Sequence, residues 1–160
     1  MILLAHLIFG ALIGQTIANP ILAIILAFFG HYFLDLFPHV EYSIDKIRGQ
    51  MWKKALPEIL KIFLDFSFGI LLVSMFSANL PNIYVCAFFA ILPDGFTVLS
   101  NRFPNIVLKL HNKFHFEKIH WFKQTQPSHE ASARQEKISL FWRIFSQVFV
   151  VIISIILLKI

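Results

Sequence analysis

GHYFLDLFPHVEY, residues 30–42, ends the apolar run that starts at Pro20, and its reading decides what kind of protein this is. Within it His31, Asp35 and His39 recur every four residues. Residues four apart are neighbours on a helix surface, so the three side chains share one stripe. A centred aspartate costs roughly 2.5–3.5 kcal/mol on membrane-insertion scales, so a lipid-compatible helix rarely carries one without a use for it. Two imidazoles and a carboxylate suit a single divalent ion, and zinc accepts that donor set. A bound dication would also offset the cost of burying the carboxylate. The same spacing equally fits a hydrogen-bonded His31–Asp35 pair that fixes helix contacts, and the stretch alone does not separate the two readings.

Composition sets the medium. Of 160 residues, 58% are hydrophobic, 14% are charged and 19 are phenylalanine, with a mean hydropathy of +0.72. A soluble domain carries about a quarter charged residues and at most about half apolar ones. The expectation is therefore an all-α integral membrane protein forming one membrane domain over residues 1–160. The net charge of +5 comes from basic residues in two loops between apolar spans. That distribution argues for orientation in a membrane and against nucleic acid as a partner. The one cysteine, Cys86, excludes an intramolecular disulfide. The first segment, ILLAHLIFGALIGQTI, has no basic leader and no A-x-A site, and reads as a retained helix.

A spanning helix needs about 20 mostly apolar residues. Five segments qualify, giving a bundle of about five transmembrane helices over 2–18, 20–37, 57–78, 82–100 and 140–160. Pro20 suits a first helical turn, Pro38 ends the second segment, and Pro57-Glu58 suits the start of the third. Residues 19–20 and 79–81 are short uncharged turns, whereas 38–56 and 101–139 are long and basic. The positive-inside rule then puts both long loops and the N-terminus in the cytoplasm of a prokaryotic inner membrane. Inside 101–139, Phe103, Val107, Leu110 and Phe114 fall on one helical face with Lys109 and Lys113 elsewhere, which predicts a basic amphipathic helix on the inner surface. Gly10-x3-Gly14 reads as a small-residue face that lets another helix approach closely.

Depth sorts the remaining polar residues. In this topology His6, His31, Asp35, His39, Asp65 and Asp94 all fall within roughly 12 Å of the cytoplasmic face at 1.5 Å per residue. They become the candidate metal site, with His6 and Asp94 also the candidate catalytic groups. Asp65 has two further readings, orienting a histidine or pairing with Lys61. His111 and His115, again four apart, are placed to close over the site from the loop. Pro93-Asp94-Gly95 should loosen its helix and expose backbone groups there. Arg48, Lys53, Lys54 and Arg102 are candidates to attract an anionic lipid headgroup.

The early His6 with Gly10 and Gly14, then G-H-x3-D-x2-P-H, then L-P-D-G, together resemble the small prokaryotic membrane-bound metal-dependent hydrolases. That family is distantly similar to zinc-dependent phospholipase C. The resemblance covers roughly residues 1–120, and the H-R-G-x-T-H-S-like stretch of larger members is not present. It implies a helical metal site carried by His6, His31, Asp35, His39 and Asp94 with a loop histidine. The expected activity is metal-dependent phosphoester hydrolysis, with zinc as cofactor and membrane lipids as partners and substrate. One alternative is a metal or proton transporter, which needs polar groups through to the outer face. The outer halves offer only Gln15, Thr16, Ser74, Ser77 and Gln147. A non-enzymatic scaffold with a structural metal is the other.

Overall fold

A computed structural model describes residues 3–40, 44–100, 103, 105–114 and 140–160. Of these, 84% are helical and none forms a strand. The order is α1 (Leu3–Thr16), α2 (Pro20–Asp35), α3 (Asp45–Arg48), α4 (Trp52–Phe76), α5 (Pro81–Ser100), α6 (Ile106–Phe114) and α7 (Leu140–Leu158). Three helices, α4, α5 and α7, are long and apolar enough to cross a membrane. The other two expected spans, α1 and α2, have 14 and 16 residues. At 1.5 Å per residue they rise about 21 and 24 Å, short of a hydrocarbon core of about 30 Å. Their brevity has a local cause, because Asn19 caps α2 by accepting from Ile21 and Leu22 N–H and Pro20 opens the helix.

Phe29 and Phe33 of α2, Phe63 and Phe68 of α4 and Phe141 and Phe149 of α7 all point outward. Apolar faces of this extent have no place against water. Together with the three long helices they suggest a membrane protein.

The helix α1 is apolar on every side and is enclosed by α2, α4, α5 and α7. Its glycine face makes the closest approach. A Cβ on Gly10 would lie 2.6 Å from Ala90 Cβ, and one on Gly14 would lie 2.9 Å from Cys86 Cβ and from Ile83 Cα. The pairing 10 with 90 and 14 with 83–86 makes α1 and α5 antiparallel. It also aims the next residue on that stripe, His6, at the turn holding Asp94. Lipid-embedded helices gain little from the hydrophobic effect, so this close van der Waals packing is what holds them together. The pairs Leu4–Asp65 and Gln15–Ala78 run α4 alongside α1, and Arg143–His39 and Gln15–Leu158 do the same for α7. Helices α2 and α5 run the opposite way. The segments after α2 and after α5 consequently lie at one end of the bundle.

Two boundaries differ from expectation. The third span begins at Trp52 rather than Pro57, with Pro57 inside α4. Residues 52–56 favour helix, and a proline so near the start removes only one hydrogen bond, that to the Lys53 carbonyl. Glu58 does serve a helix N-terminus, but that of α3, where it accepts from Lys46 and Ile47 N–H. The helix α2 ends at Asp35, not Phe37, and Pro38 disfavours helix at the residue before it.

Candidate metal centre

Four carboxylate and imidazole side chains from α1, α2 and α5 converge, joined by His39 from the segment after α2. The Asp35 carboxylate sits at the centre. Its Oδ1 lies 3.3 Å from His6 Nε2 and 3.7 Å from His39 Nε2, and its Oδ2 lies 3.2 Å from His31 Nε2. Asp94 Oδ1 is 3.7 Å from the same His31 Nε2. One ligand atom each of His6, His31 and Asp94 lie within 4.8 Å of one another. Around a tetrahedral zinc with bonds of about 2.1 Å, ligand atoms are about 3.4 Å apart. For this trio the separations need to close by at most about 1.4 Å.

Hydrogen bonds to backbone carbonyls fix which nitrogen of two rings faces the cluster. His31 Nδ1 is 2.8 Å from Ala90 O, and His39 Nδ1 is 2.6 Å from Phe37 O. A carbonyl only accepts, so each Nδ1 carries the proton and donates. In the neutral ring Nε2 is then a lone pair, and in both residues it is turned toward a carboxylate. Acceptor faces acceptor unless a second proton or a cation lies between them. Metal-bound histidines show this same pattern, one nitrogen on the metal and the other donating to a carbonyl. His6 is fully buried with neither ring nitrogen hydrogen-bonded, although Asp35 lies near. Its ring stacks on His31 at 4.2 Å between centroids. Two stacked imidazolium ions would repel in so dry a place, whereas one shared dication neutralises the carboxylates without that repulsion. The donor set therefore fits a metal.

Access is one-sided. The side chains of His6, His31 and Asp35 are fully buried, while Asp94 keeps 29% of its side chain exposed. Pro93 lies inside a continuous α5. Local carbonyls take imidazole protons, Ala90 O from His31 and Pro93 O from His111 Nε2 at 3.1 Å. His111 also receives the Tyr32 hydroxyl at Nδ1, 3.2 Å away. It thus braces α6 against α5 and α2, with both nitrogens engaged beside the cluster rather than in it.

The remaining expected residues are dispersed. Asp65 accepts the Leu4 N–H at the start of α1, at 3.1 Å. Lys53 is exposed on α4. The side chain of Arg48, and the residues Arg102 and His115, lie outside the described set. On α6, Val107 and Leu110 of the expected apolar face are exposed and Asn105 accepts from Val107 N–H, while Phe103 precedes the helix and the side chain of Phe114 lies outside the described set.

The stripe of four holds as helix only for His31 and Asp35. His39 reaches Asp35 because its segment turns and is held by α7. Arg143 Nε donates to His39 O at 2.9 Å, Ser146 to Pro38 O, and Gln147 Nε2 to Val40 O at 2.7 Å. Gln147 therefore belongs to the cluster's end of the bundle, which corrects its assignment to the outer half. Arg143, Ser146 and Gln147 sit at i, i+3 and i+4 in a helix whose one other polar residue is Ser154, a spacing that could have flagged them. Neither a known protein family, nor a curated protein, nor a solved structure matches the chain, so its own residues carry the functional reading.

Proposed function

We propose that this chain is a membrane-embedded, metal-dependent hydrolase of a lipid phosphoester, with α1 and α2 completing a five-helix membrane bundle and the cluster at the cytoplasmic leaflet. The observation that carries this reading is the pair of carbonyl-anchored imidazoles, His31 and His39, whose Nε2 lone pairs converge on Asp35. His31, His39, Asp35 and His6 would surround the ion, with Asp94 within reach of it, its ligand atom within 4.8 Å of those of His6 and His31. Zinc fits these donors and would supply Lewis acidity toward a phosphoryl oxygen. Asp94, the cluster's open carboxylate, faces substrate. Water adds to phosphorus, the bond to the leaving alcohol breaks, and Asp94 passes the water's proton to the departing oxygen. Exposed lysines on α3 and α4 favour an anionic headgroup. The resemblance in G-H-x3-D-x2-P-H and L-P-D-G supports the same reaction. Transport gains no support, because Gln15 and Asn82 at the far end are spent on backbone hydrogen bonds.

Metal analysis of detergent-purified protein, paired with phosphate release from a lipid phosphate, tests the proposal. About one transition-metal ion per chain is expected, with release abolished in Asp94→Asn. Metal-free protein, or equal release by wild type and Asp94→Asn, would overturn it.

A further inference from the structure

A cavity of about 610 Å³ lies between the start of α1, the first half of α4 and the last turns of α5. Its size falls within the roughly 300–1,000 Å³ of small-molecule pockets. Leu3, Ile62, Phe66 and Leu99 make its walls, and Trp52 and Gly95 line it too. Gly95 is otherwise unexplained. Gly10, Gly14, Gly30 and Gly69 each meet a neighbour within 3 Å of an added Cβ, whereas Gly95 meets nothing within 4 Å. A helix interior disfavours glycine, and packing does not call for this one. What its missing side chain leaves is open cavity.

Three observations select the occupant. The cavity adjoins the cluster, since Gly95 follows Asp94 and Leu3 lies one turn before His6. Phe63 lines it and is also exposed, so it opens on the apolar flank of the bundle. Exposed Lys46, Lys53 and Lys54 neighbour the lining residues Ile47 and Trp52 in the chain, and with one exposed acid, Asp45, among them they leave that mouth of the apolar cavity net positive.

We infer that this cavity seats one acyl chain of an anionic phospholipid, its phosphate beside Lys46, Lys53 and Lys54 at the end where Asp94 opens. That this lipid is also the substrate rests on the hydrolase reading; the seating of its chain does not.

Trp52 reports the occupant directly. In a Trp121→Phe, Trp142→Phe background in detergent, titration with phosphatidylglycerol brominated on its acyl chains should quench Trp52 saturably. Gly95→Leu should weaken that quenching about tenfold, as expected for displacing roughly two buried methylenes. Ile62→Phe serves in its place if Gly95→Leu melts early. Asp35→Asn should leave quenching intact, so failure of the hydrolase reading is separable. Quenching that never saturates and ignores the cavity variants would mean bulk lipid contact and overturn the inference. Equal quenching by brominated phosphatidylcholine or a brominated alkane would overturn the anionic assignment.

Discussion

At one end of the bundle, Gln15 donates to Leu158 O and accepts from Ala78 N–H, and Asn82 donates to Gly14 O. At the other, His31 and His39 spend their N–H groups on carbonyls and present lone pairs to the carboxylate of Asp35. Both ends place polar side chains among apolar helices, but those of the first bind backbone groups while those of the second also face one another. An amide carries donor and acceptor together and can satisfy the backbone at helix ends without help. Imidazole lone pairs and carboxylates offer acceptors only, and a proton or a cation between them turns their mutual repulsion into attraction. One end is a structural staple; the other is where we propose that a cation binds.

Breaking the contrast outright takes one isosteric change. Asp35→Asn should lower metal affinity by more than about 100-fold, read by calorimetric titration, because it removes the charge on which three imidazoles converge. Retained metal in this variant would erase the distinction between the two ends. Chelation comes next. If the ion is present at about 100 times its dissociation constant, stripping it should remove about 2.7 kcal/mol of stability in the wild type and nothing in Asp35→Asn. Thermal melts with and without chelator check this.

The staple end should respond in the opposite sense. Gln15→Ala strands the Leu158 carbonyl and the Ala78 N–H and should cost about 1–3 kcal/mol of stability, with metal content unchanged. The finest cut is Gln147→Leu, which frees the Val40 carbonyl and loosens the segment presenting His39. Metal affinity should fall about tenfold there, with little change in melting of the metal-free protein. Equal effects of Gln15→Ala and Gln147→Leu on metal affinity would show that the two ends do not act separately.

Much of this contrast was legible beforehand. Histidine and aspartate in apolar helices announce themselves, and counting turns from each helix end brought His6, His31, Asp35 and Asp94 to one level. Gly10 and Gly14 were read as a packing face and prove to set the α1–α5 register. What escaped notice involves groups without a sequence signature. Backbone carbonyls at Ala90, Pro93 and Phe37 orient three imidazoles, and no residue type predicts which carbonyl lies within reach. Gln147 was misplaced although it lies only seven residues past the expected start of the last span at 140, about 10 Å at 1.5 Å per residue, which already puts it at the cluster's end. Pro57 misled because it marks helix starts on average, while here the preceding Trp52-Lys53-Lys54 already favoured helix. The lengths of α1 and α2 were overestimated because apolar residues continue into the turns that end them.

The central position of α1 bears on how such a chain assembles. This helix precedes α2, α4, α5 and α7 in the sequence and contacts all four. On a chain made from its N-terminus, α1 keeps a face uncovered until α7 arrives. His6 is exposed to that waiting period, since Asp94 on α5 and the α7 groups that hold His39 are made afterwards. Of these five helices α1 is made first and enclosed last, and the His6, His31, Asp35 and Asp94 side chains come together only once α5 has been made.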